Sequence, residues 1–147
     1  MRIMHFLVGR CNPESANGVD KTIYYLSKAQ AKLGHEVNVV AITSKPKILI
    51  PGVQLHHYPA RRKYFSLSEE LTGFISDYQP QIVHMHSVYT PQNWYLSKLL
   101  LRSNIPYVIT PHGGLNHYIL KRNKLKKQLY KILFELPILN RAFFIHA

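Results

Sequence analysis

Three short segments carry residues that could bind a ligand, and each of them follows a predicted strand. The first ends in Asn17-Gly18, the second contains His84 and His86, and the third is Thr110-Pro111-His112-Gly113-Gly114. Glycine lets a backbone approach an anion closely, and histidine can donate a hydrogen bond or carry charge near neutral pH. These residue types favour a site for a polar, anionic ligand.

The first segment places Asn17 and Gly18 at the start of a predicted helix. Backbone N–H groups there lack helical partners, and the helix dipole favours an anion such as phosphate. The alternative interpretation is that Asn17 only caps the helix and Gly18 only forms a turn. The segment matches neither GxGxxG nor the P-loop pattern, which disfavours dinucleotide and ATP sites of those types.

The other two segments contain the candidate histidines. His84 and His86 are two residues apart on a strand and therefore point to the same face. A metal site would need a third ligand, and no cysteine or acidic residue is nearby, so no metal is predicted. One of the pair is a candidate core histidine, and His86, nearer the loop, is the better ligand-facing residue. His112 either meets a ligand or lies exposed in a turn.

The elements that must position these residues alternate between strands and helices. Such alternation predicts an α/β fold, a doubly wound parallel (Rossmann-like) sheet with helices on both faces. Ligands bind such sheets at the carboxyl ends of the strands, so all three segments should lie on one edge. One domain spans 1–147, with strands predicted at 2–9, 36–43, 53–58, 81–86, 107–110 and 142–146, and helices at 19–33, 66–78, 91–102 and 123–136.

Local signals set the expected ends and faces of these helices. Gly34 should end the first helix with positive φ, Ser66 or Ser68 should cap the second, and Pro137 should end or kink the last. The apolar residues of the first helix recur at three and four residues, as in an amphipathic helix; they are Val19, Ile23, Leu26, Ala29 and Leu33. The stripe on the last helix is predicted to pack in the core; it comprises Leu125, Leu129, Ile132 and Leu136.

The net charge of +12 favours anionic partners, namely nucleotide phosphates, anionic lipid or nucleic acid. The basic face of the last predicted helix is either solvated or docked on an anionic membrane surface. Nucleic-acid binding is disfavoured because no such motif is present and no aromatic residues interleave with the basic ones. No uninterrupted apolar stretch is long enough to predict a membrane span. The basic face comprises Lys121, Arg122, Lys124, Lys126, Lys127 and Lys131.

The single cysteine, Cys11, excludes a disulfide framework within this sequence and favours a reducing compartment. Nothing near Cys11 suggests the base and the orienting group that a cysteine nucleophile requires. We therefore interpret it as a small residue at a strand end.

An ordered set of segments resembles the N-terminal domain of retaining glycosyltransferases of family 4, which have the GT-B fold. The resemblance covers nearly the whole chain, and its specificity lies in the order and spacing of the segments. They are Asn17-Gly18-Val19, Leu33-Gly34-His35-Glu36-Val37, Gln79-Pro80-Gln81-Ile82-Val83-His84-Met85-His86, Ile109-Thr110-Pro111-His112-Gly113 and Arg141-Ala142.

The resemblance implies a role for each loop. The backbone at Asn17 and Gly18 would lie against the donor's pyrophosphate, although the family has a glycine where this chain has Asn17. His112 would be the catalytic histidine, bonding a hydroxyl of the donor sugar or assisting the transition state. His86 and Gly113 would lie on the acceptor and sugar side. The nucleotide sugar is a substrate, and neither a cofactor nor a metal is expected.

The resemblance also implies a second domain that this sequence lacks. Family members bind the nucleotide sugar mainly through a C-terminal domain with two glutamates separated by seven residues, and no glutamate pair here has that spacing. The chain is therefore expected to be inactive alone. Completed, it would transfer a sugar with retention to a saccharide or lipid-linked acceptor, in surface polysaccharide or glycolipid synthesis.

The alternative is a non-catalytic binding subunit or remnant that pairs with a separately encoded C-terminal half. In either case the expected location is the cytoplasm, with peripheral contact at the inner face of the cell membrane.

Overall fold

The structure, a computed structural model, describes residues 1–14, 17–44, 49–59, 66–113 and 128–146. Within these residues one sheet of six parallel strands has the order β3-β2-β1-β4-β5-β6. The doubly wound α/β prediction is confirmed. The strands are β1 (Arg2–Val8), β2 (Glu36–Ile42), β3 (Val53–Tyr58), β4 (Ile82–His86), β5 (Tyr107–Thr110) and β6 (Phe144–Ile145).

The described helices connect successive strands, as right-handed crossovers require. Ser68 caps α2 by accepting a hydrogen bond from the Leu71 N–H, and Gly34 follows α1 with φ of 83°, both as predicted. The helices are α1 (Gly18–Lys32), α2 (Glu69–Tyr78), α3 (Pro91–Arg102) and α4 (Leu136–Asn140), the last preceded directly by a π-helical turn at Lys131–Glu135.

The direction in which successive strands are added to the sheet reverses between β1 and β4. From β1 the chain winds outward to β2 and β3, whereas from β4 it winds the opposite way to β5 and β6. The connections that leave the carboxyl ends of β1 and β4 therefore run in opposite directions, and we call the space between them the crevice. In open α/β sheets this switch point is the usual place for a ligand.

The two faces of the sheet differ sharply in composition. The main core lies on the face covered by α2, α3 and α4, where Phe6, Met85 and Ile109 of the central strands are fully buried. On the opposite face α1 covers β1 and β2 through Ile23, which packs with Leu7, Val39 and Ala41. This second core does not extend to β4 and β5, where the same face carries polar side chains.

The buried face of α1 coincides only in part with its apolar spacing. The buried residues of α1 are Asp20, Ile23 and Ser27, whereas Leu33 is 76% exposed and Ala29 is also exposed. The inward face of α1 is thus partly polar, because it lies over polar as well as apolar residues of the sheet.

The prediction that the apolar stripe of the last helix packs in the core is wrong. Leu129 and Ile132 are exposed, and Glu135 and Ile138 are the buried residues instead. A π-helical turn holds more residues than an α-helical one, so it rotates the following residues away from the 3.6-residue pattern. The helix also continues past Pro137 to Asn140 rather than ending there. Leu125 and the basic residues 121–127 lie outside the described residues.

Candidate functional site

Strained backbone is concentrated where the loops leave the carboxyl edge of the sheet. Cys11 after β1, Ser87 and Tyr89 after β4, and His112 after β5 all have positive φ, between 57° and 74° for the first three and 49° for His112. Residues with side chains adopt this conformation at a cost that surrounding structure must offset, and such residues cluster at ligand sites. The three predicted loops do lie on one edge, as expected.

Asn17 and Gly18 begin α1 beside this crevice. The Asn17 side chain accepts a hydrogen bond from the Val19 N–H at 3.0 Å, and so caps the helix as the alternative interpretation proposed. Outside its chain neighbours and the helix's own backbone, an ideal Cβ built on Gly18 would meet no atom of the described residues within 4 Å. Nothing in the described part of the chain therefore requires glycine there. The space in front of Gly18 leaves room for a ligand to approach the helix end.

The loop after β1 is held against the first turn of α1. The Asp20 carboxylate accepts a hydrogen bond from the Cys11 N–H at 3.1 Å, and both residues are buried. Burial, with the nearby Asp20 carboxylate, raises the pKa of the Cys11 thiol to about 12. Cys11 is thus a protonated core residue, in agreement with its interpretation from the sequence.

Histidines from successive strands line the polar face of the sheet. In the parallel register His5 on β1 pairs with His84 on β4, and His86 pairs with Thr110 on β5. Side chains in register on neighbouring strands share a face, so the two-residue alternation brings these four together. We call them, with His112 and His146 from the following loops, the histidine face: His5, His84, His86, Thr110, His112 and His146.

Hydrogen bonds join part of the histidine face into a continuous chain. The Gln30 Oε1 atom on α1 lies 2.6 Å from His5 Nε2, and His5 Nδ1 lies 3.0 Å from His86 Nε2. His86 Nδ1 in turn lies 2.9 Å from His112 Nε2. Both ring nitrogens of the buried His86 are thus engaged by protein atoms, and His112 is the half-buried end of the chain.

A second, shorter branch leaves His84. Its Nε2 lies 2.7 Å from the Thr110 hydroxyl, which lies 3.2 Å from Nδ1 of the exposed His146. The His84 ring stacks on His86 with 4.1 Å between centroids. Each buried imidazole therefore has at least one hydrogen-bond partner, as buried polar groups require.

Burial keeps these imidazoles neutral near pH 7. It lowers the pKa of His5 to about 4 and that of His84 to about 3, and it lowers the pKa values of His86 and His112 as well. Repulsion between neighbouring imidazolium ions acts in the same direction on His84, His86 and His112. A neutral imidazole has one N–H donor and one acceptor nitrogen, so the hydrogen bonds along a chain of neutral rings can all point in the same direction.

These lowered pKa values predict an acid-labile fold. An unfolded chain binds protons at histidine below about pH 6.5, whereas the folded chain resists protonation until about pH 4 at His5. The free energy of unfolding should therefore be at its full value above pH 6.5 and fall as the pH drops towards 4. Urea denaturation at intervals across this range measures it. A flat profile would contradict the prediction.

The structure supplies a third histidine that sequence reasoning missed for metal binding. Among the described residues, His5, His84 and His86 form one group whose candidate ligand atoms lie within 4.8 Å of one another. Tetrahedral zinc, with Zn–N about 2.0–2.1 Å, sets its ligand nitrogens about 3.3–3.4 Å apart. His5 Nδ1 and His86 Nε2 are 3.0 Å apart, which is shorter than the spacing of zinc ligands and is the separation of a hydrogen bond. The position of His5, a polar residue within the apolar run of β1, was the sequence signal that could have revealed it as a member of this group.

Glu135 is a second residue that sequence reasoning missed. Its carboxylate is fully buried at the π-helical turn and accepts a hydrogen bond from the Tyr89 N–H at 2.9 Å. Burial raises the pKa of Glu135. This bond ties the strained loop after β4 to the last helix and so fixes one wall of the crevice.

The predicted site residues thus divide into two groups. His86 and His112 are in direct contact, and Gly113, with φ of 75°, adopts a conformation that favours glycine beside them. Asn17 and Gly18 belong to the neighbouring loop across the crevice. His86 is 1% exposed, so in this structure it meets His112 rather than solvent. Its assignment to the acceptor side stays a prediction, as do the other assigned roles.

The sheet order and the crossover connections define a doubly wound, Rossmann-like α/β domain. The sequence profile of Glycosyltransferase Family 4 matches residues 16–147, and the chain belongs to that family. Its fold is that of an N-terminal GT-B domain. No curated protein sequence matches the chain. Among solved structures, it is similar to S. aureus MnaA with UDP, with a TM-score of 0.52 and 14% identity. The match covers 91% of this chain and 38% of that one.

Proposed function

We propose that this domain forms the acceptor-side half of a retaining glycosyltransferase that moves a sugar from a nucleotide sugar to an acceptor hydroxyl. The observation that supports the proposal most directly is His112, half-buried in a strained turn at the carboxyl edge, in a chain that belongs to Glycosyltransferase Family 4. The acceptor would be a saccharide or lipid-linked oligosaccharide of surface polysaccharide or glycolipid synthesis.

In this proposal each loop contacts a different part of the substrates. The start of α1 at Asn17 and Gly18 receives the donor's pyrophosphate, since the helix end favours an anion and Gly18 leaves room for one. His112 contacts a hydroxyl of the donor sugar. The loop with Gly113, and His86 behind it, forms the acceptor and sugar side. UDP bound to the structurally similar MnaA supports a nucleotide ligand for this kind of domain.

The donor must also be held from its other side. The chain spans 38% of the length of the similar solved structure, and we propose that a C-terminal donor-binding domain completes the enzyme. One half cannot exclude water or orient two substrates, so the 147 residues alone should not catalyse transfer. Hydrolysis of UDP- or GDP-sugars by this chain alone, measured by release of the nucleotide, would contradict that expectation.

Joining the chain to a C-terminal domain with the paired glutamates tests the function itself. The joined protein should consume a UDP- or GDP-sugar in the presence of an acceptor, and the product should keep the anomeric configuration, which NMR of the anomeric proton reports. Turnover with inverted configuration, or no turnover with any nucleotide sugar, would contradict the proposal.

We also expect the reaction to need no metal ion. Negative charge on the leaving nucleotide would be stabilised by the end of α1 and by basic side chains. Excess EDTA should therefore leave turnover of the joined enzyme unchanged. Recovery of lost turnover on adding Mg²⁺ or Mn²⁺ after chelation would refute this prediction.

A second candidate function is a non-catalytic subunit that binds a separately encoded C-terminal half. Large apolar side chains are exposed on the π-helical turn and on β6, including Ile132, Leu133 and Phe144, and such surfaces often mark contacts with another chain or domain. Co-purification of the two halves without transferase activity would favour this function over the first.

The proposed location is the cytoplasm, with peripheral contact at the inner face of the membrane and no nucleic-acid partner. No helix within the described residues is both long and apolar enough to cross a membrane. Among the basic residues of the last predicted helix only Lys131 is described, so membrane contact depends on residues outside the described part of the chain.

A further inference from the structure

In the hydrogen-bond chain from Gln30 to His112, the chemistry of the atoms determines which partner of each contact donates the proton. The amide oxygen of Gln30 can only accept, so His5 Nε2 must carry a proton and donate it over 2.6 Å. A neutral imidazole carries one proton, which makes His5 Nδ1 an acceptor. The proton between His5 and His86 therefore belongs to His86 Nε2.

The same reasoning applies to the next ring, that of His86. Because neutral His86 carries its proton on Nε2, its Nδ1 is an acceptor. The proton in the 2.9 Å contact with His112 then belongs to His112 Nε2. All three rings are consequently Nε2–H tautomers, and Nδ1 of His112 retains its lone pair. No described residue hydrogen-bonds to that nitrogen.

We infer that Gln30, His5 and His86 form a relay that holds His112 in the Nε2–H tautomer, with Nδ1 presented to the ligand as a hydrogen-bond acceptor. Gln30, His5 and His86 are positioning residues, since they act on the ligand only through His112. The inference rests on the proposed function in one respect, namely that the acceptor nitrogen meets a hydroxyl of the donor sugar.

Two features make the relay suited to this task. Burial lowers the pKa values of all three histidines, so the relay stays neutral where a protonated ring would present a donor instead. Successive hydrogen bonds in a low-dielectric interior also polarise one another, which makes the terminal Nδ1 a better acceptor than an isolated imidazole. Gln30 and the proposed pyrophosphate site both belong to α1.

The test uses the ¹⁵N-labelled 147-residue chain and needs no donor. Two-bond ¹H–¹⁵N correlation spectra at pH 7 assign the tautomer of each histidine. We expect Nε2–H at His5, His86 and His112. In Gln30→Leu, which removes the terminal acceptor, His112 should become a mixture of tautomers. In Gln30→Glu, which keeps an acceptor oxygen, the single tautomer should return.

Nδ1–H at His112 in the unmodified chain would overturn the inference, and so would an unchanged His112 tautomer in Gln30→Leu. If Gln30→Leu does not fold, the tautomer of His112 in the unmodified chain decides alone. Titration with ZnCl₂ is a further check. Zinc on His86 Nε2 would force that ring's proton onto Nδ1 and reverse the relay, so saturable zinc binding lost in His5→Gln would also overturn it.

Measurements of enzyme activity distinguish a failure of the relay from a failure of the proposed function. In the joined enzyme, Gln30→Leu should lower kcat/KM by about twofold to tenfold, because only the fraction of His112 in the competent tautomer can accept the hydroxyl of the donor sugar. Gln30→Glu should restore it. If the spectra show the relay but no nucleotide sugar is used, the proposed function fails and the tautomer assignment stands. Normal turnover in Gln30→Leu would overturn the relay's role while leaving the function intact.

Discussion

Replacing His112 with alanine should lower turnover of the joined enzyme by about 100-fold, the scale of effect seen when a positioned proton-transfer or hydrogen-bonding group is lost. The imidazole is the half-buried end of the hydrogen-bond chain, and its Nε2 contact with His86 fixes its orientation. Alanine removes the group that would contact the donor sugar. Steady-state kinetics with a UDP- or GDP-sugar measures the change.

The control is His35→Ala. His35 is half-buried like His112 but lies between α1 and β2, at the opposite edge of the sheet. It should leave turnover unchanged. The His112→Ala chain should also unfold at a urea concentration close to that of the unmodified chain, because its ring is only partly buried. Near-normal turnover in His112→Ala would refute the catalytic assignment.

Replacing Gly18 with alanine should weaken nucleotide binding by about tenfold, or about 1.4 kcal/mol, without loss of stability. Among the described residues, nothing beyond the chain neighbours and the helix's own backbone lies within 4 Å of a Cβ added at Gly18. We therefore expect the added Cβ to obstruct a ligand at the helix end rather than the fold. Alanine also favours helix more than glycine does, by up to about 1 kcal/mol. Calorimetric titration of the joined enzyme with UDP and GDP, together with urea denaturation, measures both quantities.

Gly73→Ala is the matched control. Gly73 is also a helical glycine, on α2, with no atom within 4 Å of an added Cβ. Both variants should be as stable as the unmodified protein or more so, and only Gly18→Ala should lose affinity. Equal nucleotide affinity in the two variants would mean that the start of α1 does not receive the pyrophosphate. A loss of stability confined to Gly18→Ala would show that the glycine serves the fold instead.

Much of the local structure follows from short-range signals in the sequence. Strands rich in β-branched residues such as β2 and β5, the cap at Ser68 and the positive φ at Gly34 depend on residues within one or two turns of each other. The alternation of these elements then restricts the fold to a doubly wound sheet, because parallel strands need crossovers. The common edge of the three candidate loops follows from that alternation alone.

The wrong prediction concerns a helix in which the buried residues depend on contacts with residues far away in the sequence. Leu129 and Ile132 fit a 3.6-residue stripe, yet they are exposed, and the buried residue of the π-helical turn is Glu135. The Glu135 carboxylate is buried because it accepts the Tyr89 N–H from a loop 46 residues earlier. Spacing within one helix contains no information about such a contact.

What the sequence by itself determined was the order of the strands and helices, the family resemblance and the candidate histidines His86 and His112. Only the tertiary structure decided that His86 is enclosed between His5 and His112, with Gln30 at the end of the chain. His5 and His86 are 81 residues apart and meet because β1 and β4 are neighbours in a particular register. Strand pairing across the switch point sets that register, and the sequence pattern of neither strand specifies it.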